Sequence, residues 1–485
     1  MATSWPKRDS SSSSITDEEH PDAKKLKITV AGDQLETQTP LVIPRRVSLN
    51  PADCDLDFCI EFNGLQGSAR YEEEFAYCWS GARADVGISG GKYCFGCKII
   101  AYQPANIGYD EDDISEDHKN VCRVGVSRGD DNGNSSLGSL GETMNSFCIQ
   151  TTREFCSGGK FCDYGDRFEI GDTIVCCVDL EAKPASIGFS RNGGWMGMAC
   201  QFDWQWQSAF FPHVLLKNVV VLLQFCREDG LEPVEGYKPW ASSVQDGKAF
   251  PGPTLSPDVH GCDLMMMVGL PGSGKTTWAE KWATEHPEKR YILLGETHAF
   301  DKMKVPSLMD RSNKDELFEC WNGRAAKLFS ALVSRASKLP RNFIIDHTNV
   351  HKVHRRHKLK PFANYNKVAV VVFPALEEFK SRVVKRYREL GKEIPAGVIN
   401  EALGNFVLPM SKDMHGTDEH FDEVWFPELG RAESEKYLGE MKANMNFFAV
   451  LGEQTQRPGS AGVSREVDMD GASSIHGDFM DAQHY

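Results

Sequence analysis

Gly269-Leu270-Pro271-Gly272-Ser273-Gly274-Lys275-Thr276, followed by Thr277, satisfies the pattern G-x-x-x-x-G-K-[ST] in full. With glycine and lysine each near 7% of an average protein, a chance match somewhere in a chain of this length is on the order of one in fifty. The flanks lower that further. Asp263-Leu-Met-Met-Met-Val268 is an apolar run of strand length before the loop. After it, Trp278, Ala279, Trp282 and Ala283 fall on one face of a helix. Strand, glycine loop and helix therefore stand in the order that a phosphate-binding loop needs. Glycines let successive backbone N–H groups turn inward as an anion nest at a helix N-terminus. That chemistry makes residues 269–277 the nucleotide-binding segment. Lys275 reaches the β and γ phosphates of ATP or GTP, and the Thr276 hydroxyl ligates Mg²⁺.

Asn342-Phe-Ile-Ile-Asp346 is an apolar strand ending in a carboxylate. Asp346 there is a second Mg²⁺ ligand, directly or through its water shell; capping the next turn is the competing role for the same residue. Lys367 to Phe373 is another Val-rich strand, and the helical stretches between these strands make the segment a parallel α/β sheet. Eleven Lys and Arg lie between Lys352 and Arg388 against only Glu377 and Glu378. Three readings of this basic stretch stand side by side. Arg382 and Arg386, one helical turn apart, close as a lid over the γ phosphate. Lys352, Arg355, Arg356, Lys358 and Lys360 hold a nucleic-acid backbone. Or the whole stretch is a solvated face.

The first half of the chain has a different texture. From about 46 to 235, short apolar and aromatic runs are broken by Gly, Asn and Asp with no sustained helical period, which reads as an all-β sandwich. Asn192-Gly193 marks a tight hairpin turn, and Thr173–Leu180 and Asn218–Phe225 are apolar strands. Thirteen of the fifteen cysteines lie here. Cys94-x-x-Cys97 lacks a second Cys or His pair at zinc spacing, so these read as core thiols. Residues 236–260, with four prolines, read as a linker. Residues 1–45 and 451–485 are polar and are expected to be disordered. Within the first of these tracts, Lys7-Arg8 and Lys24-Lys25-Leu26-Lys27 have the spacing of a two-part nuclear import signal, or are ordinary charge clusters.

Composition excludes several classes. No apolar run approaches the roughly 20 residues of a membrane span, and the N-terminus has no signal-peptide core, so a soluble chain with reduced thiols is expected. The net charge of −15 argues against polyanion binding by the whole surface. Residues 261–430 hold 26 basic and 22 acidic residues, a balance of +4 against −19 for the remainder. Any polyanion site belongs to the second half.

With these residues in view, two resemblances emerge. Trp79-Ser-Gly-Ala-Arg-Ala-Asp-Val-Gly87, Gly91-Lys-Tyr-Cys-Phe95, Arg123-Val-Gly-Val-Ser127, Phe168-Glu-Ile-Gly-Asp-Thr-Ile174 and Ile187-Gly-Phe-Ser-Arg-Asn-Gly193 resemble the strands of a SPRY domain. The phosphate loop, Asn342-Phe-Ile-Ile-Asp-His-Thr-Asn349, the basic helix, Asn405-Phe-Val-Leu-Pro409 and Phe421-Asp-Glu-Val424 resemble the polynucleotide-kinase-like domain of heterogeneous nuclear ribonucleoprotein U and its U-like relatives. The resemblance implies a nuclear protein in RNA binding and pre-mRNA processing, with protein partners on the SPRY domain. Longer relatives carry a SAP module and an Arg-Gly-rich tail; this chain shows neither, so RNA binding comes from the resemblance alone. Active polynucleotide kinases resembling this domain end a strand in Arg-Asp, with the Asp as base for a 5′ hydroxyl. Here the run is Tyr291-Ile-Leu-Leu-Gly-Glu296-Thr297, leaving Glu296 as the substitute. The leading expectation is a nucleotide-binding protein of the ribonucleoprotein type. An active polynucleotide 5′-kinase and a cytoplasmic SPRY adaptor with a nucleotide switch are the alternatives.

Overall fold

The computed structural model describes residues 46–104, 119–129, 136–204, 208–304, 315–390 and 394–443. The import-signal clusters and the tail 451–485 lie outside them.

Alternating apolar residues build two antiparallel sheets in the first half. One runs Leu49–Cys54, Ser80–Ala84, Phe210–Lys217, Val121–Arg128, Ser146–Gln150, Glu154–Ser157 and Lys160–Asp163. The other runs Gly194–Phe202, Ala185–Arg191, Thr173–Asp179, Lys92–Tyr102, Val219–Gln224, Gln66–Ala69 and Phe58–Ile60. Their inner faces meet in a core that includes Phe95, Phe189, Phe210 and Phe225. This is the all-β sandwich expected for residues 46–235. Arg191 pairs with Gly194 across the expected turn, where Asn192 and Gly193 take φ of +49° and +80°. Cys94 and Cys97 are fully buried, as core thiols should be.

The stretch expected as a linker packs onto the sandwich. Lys238-Pro239 pairs in parallel with Lys92–Tyr102, and Ala249–Pro251 pairs with Val86–Ile88. Between them the Trp240 side chain is fully buried, donates Nε1 to the Val86 carbonyl at 2.9 Å, and meets Phe95 edge-on. Burying an aromatic of that size outweighs the turn-forming character of the flanking prolines.

The second half is a five-stranded parallel sheet. Its elements are β1 (Asp263–Val268), α1 (Lys275–Glu285), β2 (Ile292–Leu294), α2 (Glu296–Met303), α3 (Asp315–Ala336), β3 (Phe343–Ile345), α4 (Lys352–Leu359), β4 (Asn366–Val371), α5 (Leu376–Leu390), α6 (Ala396–Gly404), β5 (Glu423–Trp425) and α7 (Arg431–Ala443). The strand order is β2-β3-β1-β4-β5. The central strands are buried on both faces, which is why they read as continuous apolar runs. Ala279 and Ala283 of α1 pack on the sheet, and Trp278 and Trp282 lie half-buried beside them. Among the described residues no helix is long and apolar enough to cross a membrane.

Sandwich and α/β domain share a continuous core. Leu56, Phe75 and Tyr77 of the sandwich join Trp321, Leu332 and Val333 of α3 in one apolar cluster, with Tyr77 edge-on to Trp321 at 5.2 Å. Polar ties ring it. Lys302 lies 3.0 Å from both Asp55 and Asp57, Arg290 pairs with Asp53 at 2.6 Å, and Lys304 pairs with Glu142. Arg335 and Arg341 donate to the carbonyls of Leu56 and Cys54.

Candidate nucleotide site

The loop between β1 and α1 is held by its neighbours. Gly269 donates its N–H to the Thr348 carbonyl at 3.0 Å, and Ser273 to the Leu270 carbonyl at 3.1 Å. Gly272 and Gly274 take φ of +83° and +101°, the left-handed region where a side chain is strained. A Cβ on Gly274 would also sit 2.9 Å from Arg382 Nη1. Leu270 is buried, Pro271 half-buried and Thr277 exposed.

Lys275 opens α1, and its buried Nζ donates to the Leu270 carbonyl at 2.8 Å. Burial pushes its pKa down to about 8; the Asp346 charge works against that shift and the Arg386 charge works with it. The next residue, Thr276, donates its hydroxyl to Asp346 Oδ2 at 2.7 Å. The end of β3 and the start of α1 thus bring a hydroxyl and a carboxylate together beside a buried ammonium. These hard oxygen donors fit a magnesium ion carried by a triphosphate.

Arg382 reaches across from α5. Its Nη1 donates to the Ser273 carbonyl at 2.6 Å and to Glu428 at 2.8 Å, while Nε donates to Glu378 at 2.8 Å. Arg386, one turn further along α5, is exposed.

Glu296 is the first residue of α2, at the end of β2 and beside the end of β3. A Cβ on Gly295, its neighbour, would meet the Asp346 carbonyl at 2.6 Å. The Glu296 carboxylate lies 3.3 Å from His347 Nε2. The His347 hydrogen bond holds its pKa below the usual carboxylate range, against the opposing effect of burial. Lys358 completes the group. Its Nζ donates to Asn349 Oδ1 at 3.0 Å and lies over the Phe329 ring, on which His347 also stacks. Burial brings its pKa down to about 8, opposed by the Glu296 charge.

The residues expected to grip nucleic acid do not form one positive surface. Arg355 is fully buried, paired in bidentate fashion with Glu419 at 2.7 and 3.0 Å and donating to the carbonyls of Asn349, Val350 and Val407. It ties α4 to the segment before β5, so a backbone phosphate cannot reach it. Lys352 and Arg356 both pair with Asp418. Lys358 belongs to the Glu296 group, and Lys360 is exposed. The carboxylates that pair with Lys352, Arg355 and Arg356 are Asp418 and Glu419, which lie beyond the Lys352–Arg388 stretch and so escape a count along it. Sequence reasoning also missed His347, although it follows Asp346 directly. Among the described residues no three His, Cys, Asp or Glu side chains cluster as a metal site.

Comparison with known proteins agrees with this architecture. A model described as AAA domain matches residues 264–409, and one described as SPRY domain matches residues 110–228. The chain is 32% identical over 421 residues to heterogeneous nuclear ribonucleoprotein U-like protein 2 of Homo sapiens, covering 85% of this chain and 52% of that protein. It is 32% identical over 405 residues to the Mus musculus protein of the same name, covering 82% and 51%. The chain therefore spans about half the length of the curated relatives it matches. Among solved structures, the SPRY domain of human HERC1 is similar at 19% identity and a TM-score of 0.28, over 36% of this chain and 97% of that one.

Proposed function

We propose that this chain, which carries the SPRY and P-loop domains and resembles the heterogeneous nuclear ribonucleoprotein U-like proteins over most of its length, is a nuclear RNA-associated protein that binds a magnesium nucleoside triphosphate. The observation that carries nucleotide binding is the 2.7 Å contact between Thr276 and Asp346 beside buried Lys275. Lys275 has a carbonyl as its hydrogen-bond acceptor, so a phosphate improves its surroundings. ATP and GTP both satisfy these contacts, because none of them touches a base. RNA association in the nucleus is supported by the names of the relatives, and protein binding by the sandwich; a part in pre-mRNA processing rests on the family resemblance of the sequence. Crosslinking the endogenous protein to RNA in cells tests this reading: recovered RNA is expected, and its absence from nuclear protein would overturn it.

A second reading rests on Glu296. A carboxylate at a strand end, with its neighbour Gly295 packed against Asp346, is the candidate base for a 5′ hydroxyl. Two features slow it. Glutamate is one methylene longer than aspartate, and displacing a reacting group by about 1 Å costs on the order of a hundredfold in rate. Its oxygen is also engaged by His347. Transfer of labelled γ phosphate to a 5′-hydroxyl oligonucleotide decides between the readings. Slow or undetectable transfer is expected; robust transfer lost in Glu296→Gln promotes the kinase.

A further inference from the structure

Three residues beyond Lys275, α1 begins a run of aromatic rings with no part in gripping phosphate. Trp278 and Trp282 stack at 5.2 Å with their planes 9° apart, and Trp282 stacks in turn on His286 at 3.9 Å. Trp425, at the end of β5, stands at 62° to Trp282 with centroids 5.3 Å apart. With Phe426 the three tryptophans wall an open cavity of about 340 Å³ that Lys281 and Glu285 also line.

The charge around the corner is negative. Glu285 is about half exposed on the rim, and the indole N–H of Trp425 donates to Glu423 at 2.7 Å, which fixes a second carboxylate beside the ring edge. The single cation on the wall, Lys281, is 70% exposed and 3.7 Å from Glu285, a loose surface pair that exchanges readily. Aromatic faces meeting at an angle, with carboxylates at their edges, favour a cation and repel a phosphodiester. A guanidinium suits this corner better than an ammonium, because its plane stacks on a ring while its N–H fork meets a carboxylate.

We propose that the Trp278–Trp282–Trp425 corner is a docking site for an arginine side chain presented by a partner peptide. The arginine plane lies against a tryptophan face and its N–H groups bind Glu285, displacing Lys281. None of residues 269–277 lines this corner.

Fluorescence anisotropy with a labelled Gly-Arg-Gly-Arg-Gly peptide and its lysine twin, titrated with the full chain, tests this. Saturable binding of the arginine peptide is expected, at least fivefold tighter than the lysine twin. Glu285→Gln should weaken it at least fivefold, Trp278→Ala should remove it, and Lys281→Gln should tighten it. Glu285 and Lys281 are exposed, so those two variants keep the fold and carry the test if Trp278→Ala does not. No saturable binding, equal affinity for the two peptides, an unaltered affinity in Glu285→Gln, or displacement of the peptide by oligouridylate would overturn the proposal.

Discussion

A buried lysine whose hydrogen-bond acceptor is a carbonyl pays for its charge, and Lys275 with a pKa near 8 records that cost. Phosphate favours the charged form, so nucleotide binding takes up a proton once the free protein has lost it. Below pH 8 Lys275 is already charged and affinity should be flat. Above it, affinity should fall by up to about tenfold per pH unit. Dissociation constants measured by calorimetry at pH 7, 8 and 9 check this, and a value independent of pH contradicts it. Arg355 makes the opposite case. Replacing it with Ala strands the buried Glu419, which should cost about 3–5 kcal/mol in denaturant unfolding, whereas Lys360→Ala should stay within about 0.5 kcal/mol. Lys275 was legible in the sequence because its partners are its own loop. Arg355 was not, because Glu419 is 64 positions away.

The loop and the two strand ends form the candidate site. Gly274 caps α1 at φ +101° and leaves 2.9 Å between its absent Cβ and Arg382. Gly274→Ala should therefore strain the loop and push Arg382 off Ser273, weakening nucleotide binding at least tenfold; an unaltered affinity would show that the loop tolerates a side chain. The parallel strands and the Asn192-Gly193 hairpin could be read from apolar runs and turn residues, since both signals are local. The packing of residues 236–260 could not. Its prolines announce turns, and only the place found by Trp240 under Val86 makes the stretch part of the sandwich. The meeting of Glu296 with His347 was likewise hidden, because it needs β2 to lie beside β3.

For the molecule as a whole, α2 links the two domains: Glu296 at its start meets His347, next to Asp346 of the candidate site, while Lys302 near its end sits between Asp55 and Asp57 of the sandwich. Lys302→Met removes that cation and leaves the fully buried Asp57 unpaired, so it should cost about 3–5 kcal/mol. Because the apolar core is continuous across the domains, the wild-type chain should unfold in one calorimetric transition; two independent transitions would contradict a shared core. On the proposed reading, Lys275, Thr276 and Asp346 grip the triphosphate while Glu296 takes no part in binding. Calorimetric titration of MgATP and MgGTP into wild type, Lys275→Ala and Glu296→Gln tests this. At least one nucleotide should bind wild type and Glu296→Gln with similar affinity and fail to bind Lys275→Ala; undiminished binding by Lys275→Ala, or none by wild type, would contradict it.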